Sequence, residues 1–109
     1  MSGKKNKILV PTDFTKVADN AIGHAMQLAF HTGGEVYLLH VVPKQTEVEE
    51  TRKKLEIEQA RAQKLNAAVP VHKLVRVGSI FDDIGDAASE IDADLIVMGA
   101  YSRPRITEL

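Results

Sequence analysis

Unbroken apolar runs alternate along the chain with segments of helical period. Residues 8–10, Ile-Leu-Val, form the first run, stopped by Pro11. Such a run, with no polar alternation, predicts a strand buried on both faces. Thr12, Asp13 and Thr15 follow, all residue types that bond free backbone N–H groups at a helix start. Apolar positions at Ala18, Ala21, Ile22, Ala25, Leu28 and Ala29 then predict a helix with one face on a sheet, ended by Gly33-Gly34. Residues 36–42, Val-Tyr-Leu-Leu-His-Val-Val, predict a second central strand, ended by Pro43.

Thr46 and Glu49 have the spacing of a capping box. The helix they announce runs to about Ala68 and is strongly charged. Its sparse stripe is Val48, Leu55, Ala62 and Leu65, and pairs Glu49–Lys53 and Glu50–Lys54 stand four apart. Residues 71–77 alternate imperfectly, with polar side chains on both faces, which suits an edge strand. After Gly78, the cap pattern returns at Ser79 to Asp82, and Ile80, Ile84, Ala87, Ala88 and Ile91 form a helical stripe. Residues 94–99 predict a fourth buried strand, whereas 100–109 show no period. The series β-α-β-α-β-α-β predicts an α/β fold, an open parallel sheet with helices on both faces and right-handed crossovers.

The 109 residues suit one domain spanning 1–109. A formal net charge of -1 argues against a nucleic-acid footprint. The absence of cysteine excludes thiol catalysis and disulfides. No run is long enough to cross a membrane, and the lysine-bearing start carries no signal-type apolar segment, so a cytoplasmic location is expected. The histidines, His24, His31, His40 and His72, show no metal spacing, and His40 suits a packed or rim position. Asp82, Asp83 and Asp86 sit where negative charge favours a helix start, a simpler account than a metal cluster. Ser79 has no base partner nearby and reads as a cap. Nothing supports nucleophilic or acid–base catalysis, so no enzyme is expected.

In open α/β sheets, ligands bind where a parallel strand gives way to a polar turn and a helix. Asp13 is thus the first candidate for a site, its alternative role being to tie down the turn.

Lys7-Ile-Leu-Val-Pro-Thr-Asp13 with Phe14 and Thr15, then Ala25 with Leu28-Ala29, then residues 36–43 with Leu39-His-Val-Val42, then Ala93-Asp-Leu-Ile-Val-Met-Gly99 together resemble the universal stress protein family over essentially the whole chain. The resemblance implies strand order 3-2-1-4-5, the adenine-nucleotide alpha-hydrolase-like arrangement, with the family's final helix and fifth strand falling beyond Leu109. It also implies an adenine-nucleotide crevice for ATP, ADP or AMP. Pro11, Thr12 and Asp13 would lie near the adenosine, the Val42 backbone would face the adenine, and Gly99 would open the phosphate loop. Ser102 stands where the family has its second glycine, so ATP binding is expected to be weak or absent, with Arg103 and Ser102 left to supply contacts. The implied function is a stress-response or regulatory protein; separately, the apolar edge of residues 95–98 leads to the expectation of a dimer or higher oligomer. An ATP-using enzyme of the same superfamily is the alternative, but its phosphate loop would be broken at Ser102. A receiver-type signalling domain would need an acid near Val77-Gly-Ser79 and a later lysine, and neither is present.

Overall fold

The computed structural model describes residues 6–99, with Ile80 and Phe81 described by their backbone alone. The elements are β1 (Lys7–Pro11), α1 (Lys16–Thr32), β2 (Glu35–Val42), a 3-10 turn (Gln45–Glu47), α2 (Val48–Leu65), β3 (Val71–Val77), α3 (Ile80–Ile91) and β4 (Leu95–Ile96). All strand pairs are parallel, and the described sheet has the order β3-β2-β1-β4. The unbroken apolar runs of β1 and β2 occupy its centre, and the mixed pattern of β3 lies at an edge, as expected.

Strand alternation sorts the core into two layers. Ile8, Val10, Val36, Leu38 and Val71 face α1 and α2, where Ala21, Ile22, Ala25, Met26, Ala29, Leu55 and Ala62 cover them. Leu9 and Leu39 face the other way, against Ala87 and its neighbours on α3. The helix next to the sheet in α1 is rich in alanine, so its axis comes close to the strands. Gly33 ends α1 at φ 71°, and its N–H bonds the Ala29 carbonyl. This left-handed position costs glycine little.

Two helix ends differ from the sequence expectation. Thr46 does not cap α2: it lies inside the 3-10 turn, Glu47 holds the N-cap position, and no side chain caps there. At the other end, α2 stops at Leu65 rather than near Ala68. Asn66 is extended (φ -159°, ψ 106°), and its side-chain oxygen accepts from the Ala68 N–H at 2.9 Å. This local bond competes with the helix. Gln63 Nε2 then donates to the Val69 carbonyl at 2.7 Å, holding the turn that delivers the buried Val69. Glu49 pairs with Arg52 rather than Lys53, and Lys54 lies 5.6 Å from the Phe14 ring centroid instead of pairing with Glu50.

The fourth strand is where the apolar run put it but regular for only two residues. Its ladder to β1 is extended by Asp94 N–H to the Lys7 carbonyl and Val97 N–H to the Leu9 carbonyl, at 2.8 and 2.9 Å. Among the described residues no strand lies outside β4, and Leu95, Ile96 and Met98 are exposed.

A polar clasp joins α1 to α2. Glu58 on α2 is buried, and Arg61 Nη1 lies 3.3 Å from Asp19 Oδ2 on α1 and 3.6 Å from Glu58 Oε1. Burial, then the Asp19 charge, pushes the Glu58 carboxyl above its ordinary range, while Arg61 opposes them. Asp19 Oδ1 is buried and accepts no hydrogen bond from the described residues. A hydrogen bond between the Glu58 and Asp19 carboxyls, which needs a proton on one of them, is among the causes of the Glu58 rise.

Candidate functional site

The polar turn after β1 is built from its own side chains. Thr12 is buried, its N–H bonds the Leu39 carbonyl at 2.8 Å, and its hydroxyl oxygen accepts from the Phe14 N–H at 3.1 Å. Asp13 Oδ1 accepts twice from Thr15, from the N–H at 3.1 Å and from the hydroxyl at 2.5 Å. The Thr15 hydroxyl oxygen in turn accepts from the Ala18 N–H at 3.3 Å and caps α1. Thr12, Asp13 and Thr15 therefore act as the sequence suggested, as ligands of the backbone at the start of a helix. Asp13 does more than this. Both of its bonds to Thr15 fall on Oδ1, and the residue also lines a cavity. The Thr15 hydroxyl holds the Asp13 carboxyl below the usual carboxylate range; burial opposes it, and the Thr15 and Asp13 N–H groups and then His40 add to the lowering.

Phe14 stands at φ 66°. A bulky residue in this region costs about 1–3 kcal/mol and is held there by its surroundings. Its ring lies 4.7 Å from the His40 ring, tilted by 43°. The His40 Nδ1–H donates to the Thr12 carbonyl at 2.6 Å. Because a carbonyl only accepts, this bond requires a proton on Nδ1.

These groups form one wall of a cavity of about 400 Å³ at the carboxyl ends of β1, β2 and β4. Pro11, Thr12 and Asp13 line it from the first turn, Leu39, His40 and Val41 from β2, and Met98 and Gly99 from beyond β4. The volume lies in the range of small-molecule sites, roughly 300–1,000 Å³. The cavity sits where the sheet order reverses, between β1 with its crossover to β2 and β4 on the other side, the place where such sheets take ligands. Gly99 approaches the first turn of α1 so closely that a Cβ there would stand 2.7 Å from Val17 Cγ1 and 2.8 Å from the Val17 carbonyl oxygen.

Of the residues expected in the site, Pro11, Thr12, Asp13 and Gly99 line the cavity. Val42 does not: its side chain is buried and its carbonyl accepts from the Gly78 N–H at 2.8 Å. Leu39, His40 and Val41 supply the β2 part of the wall instead. His40 joins the wall too, which its reading as a packed or rim histidine only half anticipated. Its signal in the sequence is a polar residue interrupting an apolar strand near the carboxyl end of that strand. Ser102 and Arg103 lie outside the described residues.

Elsewhere, a hollow of about 520 Å³ between α1 and the end of α2 is lined by Asp19, His24, Phe30, His31 and Leu65 among others. No group of three metal-ligating side chains occurs among the described residues. Asp83 is engaged with Arg76 and with the Ser79 N–H, so the carboxylates at the start of α3 organise that helix end. No helix among the described residues is long and apolar enough to cross a membrane.

The sequence profile of the Universal stress protein family matches residues 5–109. No curated protein sequence is significantly similar to the chain. Among solved structures, a protein of the universal stress protein family from Burkholderia pseudomallei is 25% identical, with a TM-score of 0.76 over 93% of this chain and 86% of its own. The universal stress protein from Archaeoglobus fulgidus in complex with dAMP is 28% identical, with a TM-score of 0.71 over 87% and 80% of the two chains. A universal stress protein in complex with cAMP shares the fold at 21% identity, with a TM-score of 0.72 over 84% and 69%. The profile match over nearly the whole chain, on a parallel sheet of matching topology, establishes that the chain belongs to the universal stress protein family.

Proposed function

We propose that the crevice beside Asp13 binds an adenosine nucleotide and that the protein acts as a non-catalytic regulator. The observation that carries this reading is the cavity of about 400 Å³ at the strand-order reversal, with Asp13 on its wall. A carboxylate there suits ribose hydroxyls, which are donors, and the apolar wall of Leu39, Val41 and Met98 suits a purine ring. The dAMP complex of the Archaeoglobus fulgidus relative supports an adenine ligand, and the cAMP complex of a protein sharing the fold agrees with it. Both of those ligands carry a single phosphate. Ser102 stands where the family has a glycine, and we expect a weaker grip on a triphosphate, because glycine alone reaches positive φ cheaply and leaves room for backbone to approach an anion. Stress response is the physiological setting the family suggests, in the cytoplasm.

Calorimetric titration with AMP, ADP and ATP tests the reading. Asp13→Ala is expected to weaken every one of them, and Ser102→Gly to tighten ATP more than AMP. Equal binding by wild type and Asp13→Ala would remove Asp13 from the site. Low-micromolar ATP binding that Ser102→Gly leaves unchanged would refute the argument from the missing glycine.

We also propose that two copies pair along β4. The support is the exposed apolar group Leu95, Ile96 and Met98 on a strand hydrogen-bonded on one side only among the described residues.

A further inference from the structure

We propose that His40 is a positioning residue for the crevice, its Nδ1–H on the Thr12 carbonyl and its ring against Phe14 holding the turn that aims the Asp13 carboxylate. The inference deepens the nucleotide-binding reading and rests on it for its affinity readout.

The turn from Thr12 to Thr15 has an unusual problem to solve. Phe14 sits at φ 66°, a conformation its side chain disfavours, and Asp13 precedes it directly. Relaxing Phe14 toward negative φ would rotate the peptide shared with Asp13 and swing the carboxylate away from the cavity. Inside the turn, Phe14 N–H is held by the Thr12 hydroxyl and Asp13 by Thr15. Those bonds are local to the turn and move with it. Only contacts from another element anchor it to the sheet. Thr12 N–H on the Leu39 carbonyl is one, and His40, twenty-eight residues on, supplies two more, the 2.6 Å hydrogen bond and the ring contact at 4.7 Å. Lys54 of α2, 5.6 Å from the Phe14 centroid, adds a contact from outside the sheet. The hydrogen bond ties the carbonyl just before Asp13, so it acts on the orientation of that residue directly. His40 itself lines the cavity, but its fixed donor is spent on Thr12 rather than on a ligand.

Asparagine can place an N–H where Nδ1 stands, whereas leucine has no donor and glutamine carries its donor further out. AMP affinity is therefore expected to fall about tenfold in His40→Leu, the scale of one lost hydrogen bond, and to stay within about twofold of wild type in His40→Asn. His40→Gln should behave as His40→Leu and replaces it if the leucine variant does not fold. Because the effect passes through Asp13, His40→Leu should cost little further in an Asp13→Ala background. Losses that add in the double variant, or a His40→Leu protein that binds like wild type, would overturn the proposal. If wild type binds no AMP at millimolar concentration, the nucleotide-binding reading fails. The positioning role is then judged by amide hydrogen exchange at Phe14 and Thr15. Faster exchange in His40→Leu, restored in His40→Asn, supports it, and unchanged exchange refutes it.

Discussion

Glu58 and Asp13 show how one chemical group, the carboxyl, takes opposite characters in one small protein. Asp13 is bonded by Thr15 and held below the usual carboxylate range, so it stays charged at neutral pH. Glu58 is buried beside Asp19, and its carboxyl is pushed above its ordinary value of 4.5. The groups acting on it are Asp19 across the α1–α2 seam and Arg61 along α2. For an acid whose folded pKa is raised, the folded state holds the proton more tightly. The stabilising share is complete below 4.5 and is lost as pH rises through the raised value. Glu58→Gln keeps a donor for the Asp19 carboxyl at every pH. It should stabilise the protein at pH 8 by about 1 kcal/mol, the scale of a satisfied buried acceptor, and flatten the pH profile above pH 5. Denaturant titrations of both proteins from pH 4 to 8 check this, and parallel profiles would refute it. Nothing in the sequence announced the clasp, because Asp19 falls off the apolar stripe of its helix and Glu58 lies on a helix read as strongly charged, and only packing brings them together. Asp13 was legible because a buried strand, a polar turn and a helix start coincide there. Val41 was missed by one residue: an unbroken apolar run conceals how far along the strand the crevice wall extends.

The element scale was the most readable. The strands and helices of the described chain lie where apolar run and period place them, since burial on both faces or on one stripe leaves a direct trace in sequence. Their ends were less readable. Thr46 and Glu49 satisfy the spacing of a capping box, yet the path from Pro43 inserts a 3-10 turn that the spacing does not encode. Asn66 ends α2 through a side-chain bond to Ala68, a competition that periodicity counts do not weigh. Element ends also set the mouth of the crevice. Gly99→Ala drives a methyl into Val17 of α1 and should cost about 1–3 kcal/mol as overpacking, with a lower melting temperature and weaker AMP binding together. Unchanged melting and affinity would show that β4 and α1 have room to separate.

At the scale of the whole molecule, the parallel sheet places every strand's carboxyl end on one side, so residues from β1, β2 and the segment after β4 meet there although they lie far apart in sequence. That convergence could be foreseen from the alternation of strands and helices. The edge at β4 could be foreseen in part: its apolar run is in place, but only Leu95 and Ile96 are regular strand. Pairing of two copies along it predicts a dimer mass in light scattering at high micromolar concentration, and a charge at Ile96, as in Ile96→Lys, should shift the mass toward monomer. A monomer at all concentrations would refute the pairing.

The central claim is that the crevice beside Asp13 receives an adenosine nucleotide. Titrating AMP into isotope-labelled protein and following the backbone amides tests it most directly. Saturable shifts are expected at Thr12, Asp13, Thr15, Val41 and Gly99, with Val42 and the hollow around His24 and His31 little affected. No shifts at millimolar AMP, or shifts centred on that hollow, would contradict the account.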